Sequence, residues 1–321
     1  MEIVYICEQN STIHKSGETM VVRKNDHKIA EIPLINVSTI VIVGNIQITT
    51  QVLQMLFNKL IDVIFMSRNG KLLGRINSEK SCNTILKIAQ FNKWNDDNFK
   101  LKLSKSFASM KIQNQIKLLE KYYSYNSSEE LKANSNYLKN YCSRIKDCTS
   151  ISEIMGLEGI CAKKYFESFN YILKYHEFSS RQRRPAYDVV NSLLNLGYAF
   201  LKNEINIRLN LYSFDTELGF MHGIRYGRES LSLDLMEEFR PLFIDNFTIK
   251  LLNKKILKSE HFEISEEGCI LTKDGMTKYI EAYHNNLNKD NINWPIVFDS
   301  QIKKFRKVIL EGGEYTAFKK K

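Results

Sequence analysis

The stretch from His222 to Pro241 holds the densest group of side chains able to do chemistry. A histidine and a glycine lead into Ser230-Leu231-Ser232-Leu233-Asp234-Leu235-Met236-Glu237-Glu238-Phe239-Arg240-Pro241. On a helix, Asp234 and Glu237 are three apart and project from one face; Asp234 and Glu238, four apart, could share it. Leu231, Leu235 and Phe239 mark an apolar stripe beside them. Carboxylates against apolar surface are costly unless a cation meets them, so a bound metal ion is one arrangement that accounts for the pattern. Solvent or an arginine is another, and by spacing alone a solvated helix face is the commoner outcome.

Two further segments bear on that choice. Met155-Gly156-Leu157-Glu158-Gly159-Ile160 sets an acid between glycines inside a helical pattern. Glycine costs about 1 kcal/mol relative to alanine within a helix, so the pair predicts close approach of something bulky. Cys161, three residues on, reads as a small packed thiol. Arg181-Gln182-Arg183-Arg184-Pro185 is a basic loop suited to phosphate oxygens, although exposed basic loops are commonplace. His14, His27, His176, His261 and His284 have no comparable acidic neighbourhood.

The elements that must position these groups fall into two halves. Short β-rich runs recur at Ile3 to Cys7, Thr19 to Arg23, Lys28 to Ile32, Thr39 to Val43, Asp62 to Met66 and Lys71 to Ile76, separated by turn signals such as Arg68-Asn69-Gly70. One helix interrupts them, capped by Thr49 or Thr50, with Val52, Leu53, Leu56, Phe57 and Leu60 on one face. After a polar stretch from Ser78 to Asp97 the pattern turns helical. Phe99 to Tyr123 carries Lys100, Lys102, Lys105, Lys111, Lys117 and Lys121 against the single acid Glu120, which reads as a solvated face rather more than a nucleic-acid track. Ser150-x-x-Glu153 is a capping-box signature, and Asp188 can cap a helix carrying Val189, Asn191, Leu193, Leu194 and Tyr198. Pro241 should kink or end the helix that begins near Ser230. Further helices are expected over Phe243 to Leu257, Met276 to Asn288 and Phe298 to Leu310, with a loose basic tail from Phe318 to Lys321. The expected fold class is α+β: a small N-terminal β-rich domain over 1–84, joined to a larger all-α domain over 85–321 that carries the chemistry.

Composition narrows the function classes. The 321 residues are 43 % hydrophobic and 26 % charged, the balance of a soluble globular protein. Lysine and arginine outnumber acids 46 to 36, a formal charge of +10 that fits a polyanionic partner, since neutralised phosphates release their counterions. The same excess occurs in proteins that bind nothing acidic. Cys7, Cys82, Cys142, Cys148, Cys161 and Cys269 are scattered without close pairs, so a zinc or redox site is not expected and the thiols should be reduced. The chain opens straight into a strand-like run, and its longest apolar run is far too short for a bilayer, so no membrane association and a cytoplasmic location are expected.

Taken in order, Met155 to Phe166, Arg183 to Tyr198, Phe220 to His222 and Leu231 to Pro241 resemble the motifs of the CRISPR-associated adaptation integrase family. Val43-Gly44-Asn45-Ile46-Gln47-Ile48-Thr49-Thr50 and Asp62 to Arg75 resemble its N-terminal β domain, so the resemblance spans most of the chain. It implies a metal-dependent DNA endonuclease and integrase that inserts prespacer DNA into a repeat array. The family's metal ligands fall on Glu158, His222 and Glu237, with a further catalytic acid on Asp234, and the implied ion is Mg²⁺ or Mn²⁺. Tyr165 and Asn191 match positions lining the family's site. Lys163, Lys164, Arg183, Arg184, Arg225, Arg228 and Arg240 are candidates for DNA phosphates. The implied partners are double-stranded DNA, a second copy in a homodimer, and a small ferredoxin-like adaptation protein in a hetero-hexamer. The chain departs from the family's habit at Pro185-Ala186 and Asp188-Val189, where relatives often have Pro-Pro and Asp-Pro, and at Glu237, where many carry Asp. Two other readings share the basic charge: a non-catalytic DNA-binding scaffold, and a metal-dependent nuclease acting on branched DNA or RNA.

Overall fold

Alternation of apolar and polar residues sets the first unit. The computed structural model describes residues 2–68, 72–77, 83–182, 185–288 and 292–319, which divide into two compact units, Met1–Cys82 and Asn83–Lys321. The first contains β1 (Glu2–Ile6), β2 (Ser11–Ser16), β3 (Thr19–Lys24), β4 (His27–Pro33), β5 (Val37–Val43), β6 (Ile46–Ile48), α1 (Thr50–Asn58), β7 (Asp62–Met66) and β8 (Leu72–Ile76). One sheet has the order β1-β5-β7-β8, with β5 parallel to both neighbours; the other has the order β4-β3-β2-β6. A strand between parallel neighbours is buried on both faces, and β5 is buried from Ser38 to Val43, which is why it reads as a continuous apolar run. Ile13, Met20, Ile40, Ile42, Val52, Leu56 and Val63 meet in the core of this unit.

Two strands here escape the sequence pattern. β2 is polar in composition and β6 is only three residues long, yet both are held by pairing, β2 against β3 and β6. Leu60, expected on the face of α1, lies past its end with φ 55° and is exposed. The turn at Asn69-Gly70 lies outside the described residues.

The second unit is mostly helical, with α2 (Thr84–Trp94), α3 (Asp97–Asn126), α4 (Glu129–Arg144), α5 (Ile151–Glu167), α6 (Val189–Leu211), α7 (Ser230–Met236), α8 (Asn246–Asn253), α9 (Lys273–Leu287) and α10 (Trp294–Glu311). It is not wholly so: β9 (Phe262–Ser265) and β10 (Gly268–Leu271) form an antiparallel hairpin. The caps fall where short polar side chains can accept from an open first turn. Ser150 Oγ accepts from the Glu153 N–H at 3.2 Å, and Asp188 Oδ1 from the Asn191 N–H at 2.8 Å. Pro241 acts as expected: α7 ends at Met236, and a π-helical turn over Arg240–Asp245 carries the proline in its first turn. The tail is a correction. Phe318 is not loose, because its ring packs against Phe239 and Trp294 and its N–H donates to the Glu238 carboxylate. Among the described residues, no helix is long and apolar enough to cross a membrane.

Candidate active site

Four elements of the helical unit bring the candidate residues together. α5 presents Glu158, the C-terminal end of α7 presents Glu237, the loop before α7 presents His222, and α3 contributes Lys111. The loop is held from behind. Trp94 Nε1 donates to the Gly219 carbonyl at 3.0 Å, and the Phe220 ring packs edge-on against Phe99 and Phe305. Gly219 is needed for closeness: a Cβ there would lie 2.6 Å from Ser230 Cβ and 2.7 Å from the His222 carbonyl oxygen.

Asp234 fixes this loop. It is fully buried and accepts backbone N–H bonds from Phe220 at 2.6 Å, Met221 at 3.0 Å and His222 at 2.9 Å. Its Oδ1 also meets His222 Nδ1 at 2.7 Å. These contacts hold the loop and set the orientation of the histidine ring. An Nδ1–H donated to Asp234 leaves Nε2 as the free ring nitrogen. Burial lowers the His222 pKa, but Asp234 and Glu237 together outweigh it and hold the imidazole above its ordinary value.

Glu158 and Glu237 meet around one ammonium. Lys111 Nζ contacts Glu158 Oε1 and lies 2.6 Å from Glu237 Oε2, while Arg240 holds Glu237 Oε1 at 2.5 Å. Burial opposes charge on Glu237, yet Arg240, Lys111 and His222 together hold its carboxyl down at about 2. Glu237 Oε2 is buried with no hydrogen bond of good geometry despite the nearby ammonium, so an acceptor there is open to a stronger partner. Among the described residues, no three acidic, imidazole or thiol groups already converge as a metal site. Glu158, Glu237 and the free His222 nitrogen are donor types that Mg²⁺ or Mn²⁺ can take, and here the Lys111 ammonium lies between the two carboxylates.

Behind these lies a second network. Asp245, at the end of the π-helical turn, accepts from the Tyr165 hydroxyl at 2.8 Å and from the Tyr198 hydroxyl. Burial raises the pKa of Asp245 although both tyrosines and Arg240 oppose the rise. The Arg240 guanidinium sits 3.9 Å from the centre of the Tyr198 ring. A cavity of about 470 Å³ opens here, lined by Lys111, Glu158, Lys163, Arg181, Tyr198, Arg240 and Asp245 among others.

Several expected roles change with these positions. Arg240, a candidate for DNA phosphates, is paired with Glu237 and stacked on Tyr198, and it also lines the cavity. Asn191 anchors the basic loop: it accepts from Arg181 and the Gln182 N–H, both at 2.9 Å, and donates to the Ser180 carbonyl at 2.8 Å. Arg228 braces its own loop through the Gly223 carbonyl and Ser230, and Lys164 pairs with Glu167 at 2.8 Å. Lys163 and Arg225 are exposed, and Arg183 and Arg184 lie outside the described residues. Among the described residues nothing approaches the glycines beside Glu158, and a Cβ on Gly156 or Gly159 would meet nothing within 4 Å. The five described cysteines are unbridged, and burial pushes the Cys161 thiol up to about 12, as suits packing.

Glu238 departs most from the helical-face expectation. It points away from Asp234, into a pocket of neutral donors: Tyr315 at 2.7 Å, Gln301 at 3.2 Å and the Phe318 N–H. Burial raises it to about 7. Lys111 and Asp245 were missed by sequence reasoning, though each left a trace. Lys111 falls on the stripe of Phe107, Ala108, Ile112 and Leu119, and Asp245 is a lone acid within Leu242-Phe243-Ile244-Asp245-Asn246-Phe247.

Residues 4–285 match the family described as CRISPR associated protein Cas1. The chain belongs to the Cas1 family. A Thermus thermophilus protein named CRISPR-associated endonuclease Cas1 3 is 32 % identical over 298 residues, covering 92 % of this chain and 87 % of the relative. A Thermodesulfovibrio yellowstonii Cas1 endonuclease is 31 % identical over 317 residues, covering 97 % and 98 %. Among solved structures, a Cas1 protein from Thermotoga maritima superposes with a TM-score of 0.86 at 20 % identity, covering 99 % of this chain and 100 % of that one. A casposase bound to an integration product superposes with a TM-score of 0.86 at 23 % identity, covering 100 % and 95 %. These structural likenesses establish the Cas1 fold, with its β-strand N-terminal region and mostly helical C-terminal region.

Proposed function

We propose that this chain is a metal-dependent DNA endonuclease and integrase of CRISPR adaptation, joining the 3′-hydroxyl of a prespacer strand to a phosphodiester of the repeat array. The observation that carries the reading is the meeting of Glu158 and Glu237 around a single cation, next to a histidine aligned by Asp234, in a chain of the Cas1 family. Glu158, Glu237 and His222 Nε2 would hold Mg²⁺ or Mn²⁺. When bound, the ion would supply charge stabilisation at the reacting phosphate.

The rest falls to the chain's own groups. Asp234 keeps the imidazole in one orientation, and Arg240 keeps Glu237 ionised and in place. The Tyr165–Asp245–Tyr198 network braces Arg240 from behind, while Lys163 and Arg225 are the exposed cations of the site region available to DNA phosphates. Transesterification conserves the number of phosphodiester bonds, so the reaction needs no nucleotide cofactor. Relatives named as endonucleases, a neighbour titled as a Cas6-RT-Cas1–Cas2 complex and a casposase bound to its integration product support DNA as substrate and a Cas2-type partner. A homodimer and a hetero-hexamer with that small ferredoxin-like partner belong to the same proposal.

Strand transfer in vitro tests it, with a labelled prespacer and a supercoiled repeat plasmid in Mn²⁺, Mg²⁺ or EDTA, and with the partner present or absent. Metal-dependent joined product, lost in Glu158→Ala and His222→Ala, is the expected result. Shortened strands without joining would leave a nuclease, and DNA binding without either product would leave a scaffold.

A further inference from the structure

We propose that Lys111 is a tethered counter-cation, bridging Glu158 and Glu237 in the unloaded protein and swinging into the adjoining cavity to meet a DNA phosphate when a divalent ion loads. The proposal rests on the metal-dependent reading above and extends it to the order and coupling of binding.

Charge balance is the first argument. Two carboxylates, Glu158 and Glu237, are matched by two cations, Lys111 and Arg240. The Lys111 side chain is only 10 % exposed, and burial disfavours its charge, but the two carboxylates outweigh that and keep it protonated. A dication added beside both cations would give these four side chains and the ion a net charge of +2, which the Asp234 carboxylate behind His222 lowers only to +1, in a buried place where repulsion is weakly screened. One cation must therefore give way, or the ion binds poorly.

The second argument decides which one. Arg240 is held on two sides, by Glu237 Oε1 and by the Tyr198 ring, and that ring is itself tied down by Asp245. Among the described residues, Lys111 is held only by the two carboxylates that the ion would take. Lys111 lines the 470 Å³ cavity with Gln115, Lys163 and Arg181, so the ammonium has polar groups to move toward. A flexible four-carbon stem can make that move, whereas a planar guanidinium locked by stacking cannot. A phosphate in the cavity would receive the displaced charge, so DNA and metal should bind cooperatively.

Mn²⁺ binding to the full chain without DNA, followed by titration calorimetry and by thermal unfolding, distinguishes the possibilities. Lys111→Met should bind Mn²⁺ about tenfold tighter than wild type, unfold at a lower temperature without metal and show the larger Mn²⁺-induced shift. Adding duplex DNA should tighten Mn²⁺ binding in wild type more than in the variant. Lys111→Gln, which keeps a hydrogen-bonding head, carries the same comparison should the methionine variant not fold. If wild type binds Mn²⁺ and neither variant binds it tighter, the counter-cation role is overturned while the metal site stands. If wild type, both Lys111 variants and Glu158→Gln are alike in binding no Mn²⁺, the metal reading falls and the proposal with it.

Discussion

In the β-rich unit, burial is almost wholly apolar: Ile13, Met20, Ile40, Val52 and Val63 are sealed, and the buried polar residues are Ser11, Ser38, Thr39 and Asp62. Lys24–Glu8, Lys28–Glu31 and Lys59–Glu18, ion pairs of this unit among the described residues, lie at or near the surface. The helical unit instead buries Lys111, Glu204, Arg208, Glu229, Asp234, Glu237, Glu238 and Asp245. Buried ion pairs are often less stabilising than apolar packing of the same volume. Their concentration in one unit marks where stability was exchanged for a site, and the other unit serves as the reference for what ordinary packing does.

The contrast can be broken most directly at the site. Glu158→Gln or Glu237→Gln should lower strand transfer by about a thousandfold or more, because each removes a proposed ligand and unpairs a buried cation. In the β-rich unit, Ile40→Ala should cost about 2–5 kcal/mol in denaturant unfolding while leaving the rate per folded molecule unchanged. A comparable loss of chemistry from Ile40→Ala would erase the distinction between the units.

Glu237 and Glu238 repeat the contrast at the scale of neighbouring residues. One is surrounded by cations and held at about 2; the other faces neutral donors and rises to about 7. A carboxyl raised from 4.5 to about 7 on folding binds more protons in the native state across that window, so stability falls as the pH rises through it. The difference amounts to about 3 kcal/mol between pH 4.5 and 7. Glu238→Gln should flatten that part of the stability–pH curve, and an unchanged curve would assign the dependence to another group.

Asp234→Asn should reduce joining by about 10–100-fold, since it disturbs the group that orients a proposed ligand and leaves both carboxylates intact. Arg225→Ala should have the smallest effect, lowering the slope of log affinity for DNA against log salt by about one without changing the metal dependence.

Much of the fold was legible locally. Ser150, Asp188 and Pro241 mark element ends through hydrogen bonding and sterics that involve only their own turns. The central run of β5 showed itself because both faces are covered. β2 and β6 did not, because pairing rather than composition holds them. The motif order placed Glu158, His222 and Glu237 in one site by family resemblance, before any geometry was known. Glycines flanking Glu158 promised a close neighbour that none of the described residues provides.

Sequence by itself determined which residues could carry charge, where helices start and stop, and which acids share a turn. It could not determine what each acid meets. Lys111 comes from a helix that reads as a basic solvated face, Arg240 reads as a phosphate contact, and Phe318 reaches Glu238 from a tail that reads as loose. Only the tertiary structure distinguished Asp234, which orients a histidine, from Glu237, which pairs with two cations, and from Glu238, whose hydrogen-bond partners are neutral. The reason is electrostatic: helical spacing fixes the direction of a carboxylate, whereas its ionisation and its partner depend on groups that distant segments bring within a few ångströms.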